Sequence, residues 1–230
     1  MPNLAISNKE DLSSKRDTVE SRITIGFKER ETWKDSSAIF DDHTLQIQGH
    51  PVMEDWEDNY MQQLAKVACS QGGIILEVGY GMGISASYIQ KEHIDKHIII
   101  EANRDVYERL LDFSRNSKVT TDTIFGFWEE CITNIPDNSI NGILFDTYPL
   151  SEKEIHKNHF SFFSDAYRLL VSGGVLTYYS DEIQDFSDEH TEKLRAAGFK
   201  QIDKSICDVE PPLNCKYWNS NTLMVPVIRK

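Results

Sequence analysis

The chain has 230 residues, 40% of them hydrophobic, which is enough for one sizeable α/β core and too few for two ordinary enzyme domains. Acidic residues outnumber basic ones 37 to 24, and the formal net charge of −13 repels a phosphate backbone, so a small cation is a better expected partner than nucleic acid. Four scattered cysteines without metal-ligand spacing, no secretory signal and no apolar run near the roughly 20 residues that cross a bilayer predict a cytoplasmic protein with reduced thiols, no metal and no membrane attachment.

Residues 1 to about 30 are charged and Ser-rich with little apolar periodicity, and they read as a flexible arm ahead of a single domain over 31–230. From Met53 to Cys69 apolar residues recur every three or four positions, as on one face of a helix. Strands and helices then alternate: strand 74–79, helix 84–92, strand 97–101, helix 104–114, strand 119–125 and strand 140–146. Helix 158–170, strand 175–179, helix 189–197 and a last strand over 222–228 complete the series. Such alternation predicts a doubly wound, mostly parallel sheet with helices on both faces, a Rossmann-like architecture.

The strand Ile74 to Val78 runs into Gly79, Gly81 and Gly83, and a second apolar run, Ile98-Ile99-Ile100, ends in Glu101 about eighteen residues further on. Glycines after a strand let backbone N–H groups approach a ligand, and an acid at the second strand tip accepts ribose hydroxyls. This pattern serves either a dinucleotide or S-adenosylmethionine. Glu77, just before the glycines, favours the second, since its charge suits an ammonium and repels a pyrophosphate. With Asp146 at the end of the fourth strand, three acids gather at the carboxyl ends of the strands, where open parallel sheets bind ligands.

Two further stretches, Pro51-Val52-Met53-Glu54-Asp55-Trp56-Glu57 and Asp146-Thr147-Tyr148-Pro149-Leu150-Ser151-Glu152, together with the glycine strand and Gly126-Phe127-Trp128-Glu129, resemble the guanidinoacetate N-methyltransferase family. The likeness runs through about residues 42 to 180 and resumes at 195 to 230. It implies a class I methyltransferase fold, S-adenosylmethionine as methyl donor, and a guanidino nitrogen as acceptor. On the matching motifs, Gly79 and Gly81 would hold the methionine end, Glu101 the ribose, and Trp128 with Glu129 the adenine, with Met53 beside the cofactor. Asp146 and Glu57 would grip the guanidinium, with Tyr148 next to them. Trp33 is a candidate for a lid over 31–50 that closes on the site.

The chemistry asks for such acids independently. A guanidinium is planar and presents forked N–H groups, and a carboxylate accepts two of them in parallel. Attack on a methyl group needs a free lone pair, so a base must take a proton from the nitrogen, a role expected of Asp146. After Tyr178 the chain departs from the family pattern with Ser180-Asp181-Glu182, where family members have a non-acidic segment. Asp181 and Glu182 would disfavour an acceptor carboxylate and suit a cationic tail, which leaves open a guanidine bearing an amine or a ring in a specialised natural-product pathway. A nicotinamide-dependent oxidoreductase, sharing the glycines and the strand-end acid, and a catalytically inactive binding protein are the competing classes.

Overall fold

A computed structural model describes residues 21–230, so the arm proposed for residues 1 to about 30 lies mostly outside the described residues. The chain enters as a helical turn, α1 (21–25), and a 3-10 turn at Arg30–Trp33. A small antiparallel sheet of β1 (Ala38–Phe40), β2 (Thr44–Ile47) and β3 (His50–Glu54) follows. The expected helix from Met53 is shorter than its spacing suggests, because Met53 pairs with Leu45 in β3 and α2 spans only Asp58–Ala68. Pro51 is tolerated in β3 because that strand is an edge, where the missing N–H breaks no ladder.

The main sheet has seven strands: β4 (Ile74–Val78), β5 (Lys96–Glu101), β6 (Thr121–Phe125), β7 (Ile140–Phe145), β8 (Leu170–Tyr178), β9 (Gln201–Asp208) and β10 (Thr222–Arg229). Their order is β6-β5-β4-β7-β8-β10-β9, with β10 antiparallel to both neighbours. Of the strands in this sheet, only β9 has no counterpart in the sequence reading, since on the sheet edge it exposes most of its residues and carries no apolar run. Helices cover both faces. Tyr60 and Leu64 of α2, Ala86 and Ile89 of α3 (Ile84–Ile89) and Val106 and Leu110 of α4 (Arg104–Arg115) share one core, whereas Ala166 and Leu169 of α6 (Phe163–Leu169) and Leu194 of α7 (Asp188–Ala197) join the other. Between them comes a short α5 (Trp128–Cys131), and the expected helix 158–170 divides into a 3-10 stretch, Asn158–Phe162, and α6.

β4 and β7 lie side by side where the strand order changes direction, and this crevice beyond their carboxyl ends is where such a sheet binds ligands. Alternation along β4 sends Ile75 and Glu77 to one face and Leu76 and Val78 to the other. That parity decides the fate of Glu77.

Candidate active site

A cleft of about 870 Å³ opens at the carboxyl ends of β4 and β5, and its walls include Gly79, Gly81, Glu101, Trp128 and Asp146. Gly79 has φ +93°, and a Cβ there would stand 1.9 Å from the Asp146 carbonyl oxygen, so only glycine lets β4 and β7 approach this closely. Gly81 has φ +55° beneath Met53, whose sulfur accepts the Met82 N–H at 3.3 Å. Met53 thus covers the glycine loop from the small sheet, and it lines the same cleft. Glu101 is 8% exposed and accepts the N–H groups of Tyr80 at 3.0 Å and Asn103 at 2.7 Å. Burial raises its pKa while those backbone donors oppose the rise.

The segment expected to form a lid is tied to this end of the sheet by Asn103. Its side-chain oxygen caps α4 by accepting Val106 N–H, and its amide donates to the carbonyls of Trp33 (2.9 Å) and Ser36 (2.7 Å). Trp33 is buried, lines the cleft, and stacks on Tyr148 with ring centroids 5.7 Å apart and planes 6° from parallel. Trp33, the lid candidate, lines the large cleft and meets the second chamber only through Tyr148, which borders both. Trp128, at the start of α5, presents its ring edge-on to Phe145 and Phe162 and still borders the cleft. Glu129 sits at the rim, where its carboxylate pairs with Arg30.

A second chamber of about 540 Å³ adjoins the first and shares Asp146, Thr147 and Tyr148 with it. Glu57 lines this chamber at the N-terminal end of α2, 2% exposed, with one oxygen accepting the Glu54 N–H (2.9 Å) and the Tyr217 hydroxyl (2.6 Å). Burial and then the nearby Asp146 push its pKa up to about 8. Asp146 keeps some solvent access through the cleft but is surrounded by protein, and burial followed by repulsion from Glu77, Asp181 and Glu101 raises it to about 7. Two acids in one chamber with pKa values raised this far are poised to accept a cation, because a bound positive charge offsets the burial and the repulsion that keep them protonated.

Three expected site residues are arranged differently from the sequence reading. Glu77 is fully buried under α3, accepts the Ser85 hydroxyl, and lies 2.9 Å from His97 Nε2 in a contact not aligned as a hydrogen bond. Facing away from the cleft, it supports the strand rather than an ammonium. Glu182 likewise turns aside, to His190 (3.2 Å) and the Ser187 N–H (3.0 Å), and borders neither chamber. Asp181 does border the second chamber, yet it is taken up by His156 at 2.6 Å. Burial alone would raise Asp181, but His156 and Arg22 hold it well below the usual carboxylate range. Glu182 is therefore not placed for a cationic tail, whereas Asp181 borders the second chamber as an anion.

Arg22, Tyr217 and Tyr179 also face this chamber and were not singled out from the sequence. Tyr217 falls inside a stretch that carries the family resemblance, so its place could have been suspected; Arg22 stands alone in a polar segment and carried no signal.

Comparison with known proteins agrees with this geometry. The family model for guanidinoacetate N-methyltransferase matches residues 22–230. The chain belongs to that family. Its members are S-adenosylmethionine-dependent methyltransferases by class, and the chain has their Rossmann-like fold. Curated relatives include "Protein arginine N-methyltransferase 2" of Yarrowia lipolytica, 26% identical over 185 residues, covering 76% of this chain and 38% of the relative. The protein of the same name from Kluyveromyces lactis is 29% identical over 127 residues, covering 52% and 29%. The chain thus spans well under half the length of these relatives. Among solved structures, spermidine synthase from Thermotoga maritima aligns with TM-score 0.58 at 13% identity, covering 84% of this chain and 72% of that one. The TYW2 protein of M. jannaschii in complex with AdoMet aligns with TM-score 0.55 at 13% identity, covering 84% of both. Both show the shared fold.

Proposed function

We propose that this protein moves a methyl group from S-adenosylmethionine to a nitrogen of a small guanidino compound. One observation carries the reading: Asp146 stands on the wall common to a cleft built like a nucleoside site and a chamber that holds a second buried carboxylate, Glu57. The cleft fits the donor on its own geometry. Gly79 and Gly81 leave space that a Cβ would fill, Glu101 offers a strand-end carboxylate for ribose hydroxyls, and Trp128 supplies an aromatic wall for adenine. When bound there, the sulfonium supplies an electrophilic methyl group.

The protein's own residues do the rest. Glu57 and Asp146 accept the forked N–H groups of the guanidinium and fix its position and rotation, which lowers the entropic part of the barrier. Asp146, bordering both spaces, takes the proton as the nitrogen's lone pair becomes free. A carboxylate with a pKa near 7 is better matched to this than one near 4. Tyr217 holds Glu57 in place by donating to it, and Trp33 with Tyr148 closes the cleft against water. Four unpaired cysteines fit a reducing compartment such as the cytoplasm.

The test is a methyl-transfer assay with S-adenosylmethionine and a panel of acceptors: guanidino acids, alkylguanidines, a cyclic guanidine bearing an amine, and an arginine-containing peptide. Mass-shifted product from a small guanidine is the expected result. Failure of every guanidine, with the donor bound, would refute the reading and leave a binding protein; transfer to the amine alone would move the methylated atom off the guanidinium.

A further inference from the structure

Tyr179 follows the end of β8 as Asp146 follows the end of β7, and the register pairs Tyr178 with Phe145, so both residues leave the sheet at neighbouring positions and line the second chamber. The Tyr179 N–H donates to the Phe145 carbonyl at 3.0 Å, and its ring meets Tyr60 edge-on with centroids 5.3 Å apart. Tyr60 is itself fixed, donating to the Met224 carbonyl at 2.7 Å and accepting the Ser180 N–H at 3.2 Å. Among the described residues three tyrosines line the chamber. The Tyr217 hydroxyl donates to Glu57 and the Tyr148 hydroxyl pairs with His50 Nδ1 at 3.0 Å, but the buried Tyr179 hydroxyl has no hydrogen-bond partner among the described residues. Burial, and then the nearby Glu57 and Asp181, keep that hydroxyl protonated and neutral. A buried hydroxyl left unpaired is unfavourable unless what enters the chamber supplies its partner.

A monosubstituted guanidinium presents five N–H donors, and two carboxylates that each take a fork of two leave one over. The shortage here is greater, because one oxygen of Glu57 already accepts the Glu54 N–H and the Tyr217 hydroxyl. Another carboxylate in that role would add to the repulsion that Glu57 and Asp146 already feel, whereas a neutral hydroxyl oxygen adds none. We propose that the Tyr179 hydroxyl oxygen accepts a guanidinium N–H that Glu57 and Asp146 leave unpaired, and so gives the flat cation a third anchor. This rests on the acceptor being a guanidine, as proposed above. The contact is made to the guanidinium and not to what it carries, so it acts alike on every monosubstituted guanidine that the chamber admits.

The experiment compares wild type with Tyr179→Phe, which removes the hydroxyl and keeps the ring against Tyr60. It measures kcat/KM for guanidinoacetate, ethylguanidine and agmatine, S-adenosylmethionine affinity by calorimetry, and Tm without ligand. Loss of a hydrogen bond from a charged donor predicts that Tyr179→Phe lowers kcat/KM roughly 10- to 100-fold for each guanidine the wild type methylates, mainly through KM and by similar factors whatever the tail. Donor affinity should not change. The ligand-free Tm should be equal or higher, since the substitution removes an unpaired buried group, and a hydroxyl that merely supports the fold would give the opposite shift. A kcat/KM within threefold of wild type, a loss that follows the tail, weaker donor binding, or a lower Tm overturns the role of Tyr179 and leaves the methyltransferase reading standing. A wild type that methylates none of the three guanidines overturns both.

Discussion

Replacing Asp146 with asparagine should stabilise the ligand-free protein at alkaline pH while removing its activity, and the size of the gain follows from the site. The carboxyl has a pKa of about 7 in the fold against an ordinary value of 3.8, because burial and neighbouring acids disfavour its charge. A raised acid binds its proton more tightly folded than unfolded, so wild-type stability falls as pH rises from the unfolded to the folded value and is level above it. Asparagine has no such slope. Between pH 5.5 and 7 the gap between variant and wild type should widen by about 1.4 kcal/mol per pH unit, or roughly 2 kcal/mol in all. For a chain of this size that is a relative rise in Tm of roughly 4 to 8 °C. Thermal melts without ligand at pH 5.5, 7 and 8.5, followed by fluorescence or calorimetry, measure it. A gap that stays constant across this range, or narrows toward pH 8.5, would refute the idea that Asp146 is held as an unfavourable buried charge. Methyl transfer by the same variant should fall by about a thousandfold or more, since general-base help contributes roughly 10² to 10⁴ and the paired charge is lost as well.

The same acids set a pH dependence. With Glu57 pushed to about 8 and Asp146 to about 7, kcat/KM for a guanidinium substrate should rise through pH 7 to 8 as both become anionic, while donor affinity stays nearly level. Tyr217→Phe removes the hydroxyl that favours ionised Glu57, so the rising limb of that profile should move to higher pH; an unmoved limb would place Glu57 outside the titration. Gly79→Ala puts a Cβ against the Asp146 carbonyl at a φ suited to glycine, and should cost about 2 kcal/mol or more in denaturant melts with loss of donor binding. Glu101→Gln should weaken the donor roughly 10- to 100-fold in calorimetry, and equal affinity would remove Glu101 from the ribose.

Much of this architecture was legible from residue order. The run Ile74 to Val78 into alternate glycines, Glu101 after the next strand and Asp146 after the fourth identified a parallel sheet and three of its ligand-facing ends, because strand period and glycine conformation are local properties. The family motifs added Glu57, Met53 and Trp128, all of which the structure brings to the two chambers. Strand β9 stayed hidden because an edge strand solvated on most of its length has no apolar signature. Local order also gave no sign that Arg22, near the end of the stretch read as an arm, is buried, or that Trp33 is held by Asn103, 70 residues away in sequence.

What the sequence by itself determined, then, is the set of groups on offer: alternate glycines after a strand, an acid at the next strand tip and further carboxylates near the ends of the sheet. Which acids face the two chambers was decided only by tertiary structure. Glu77 and Glu182 share the charge of Glu57 and Asp146, yet strand parity turns Glu77 under α3 toward Ser85 and His97, and His190 draws Glu182 away. Side-chain direction and the partner already satisfied are set by neighbours distant in the chain, and they determine whether a charge is spent on the fold or left for a ligand.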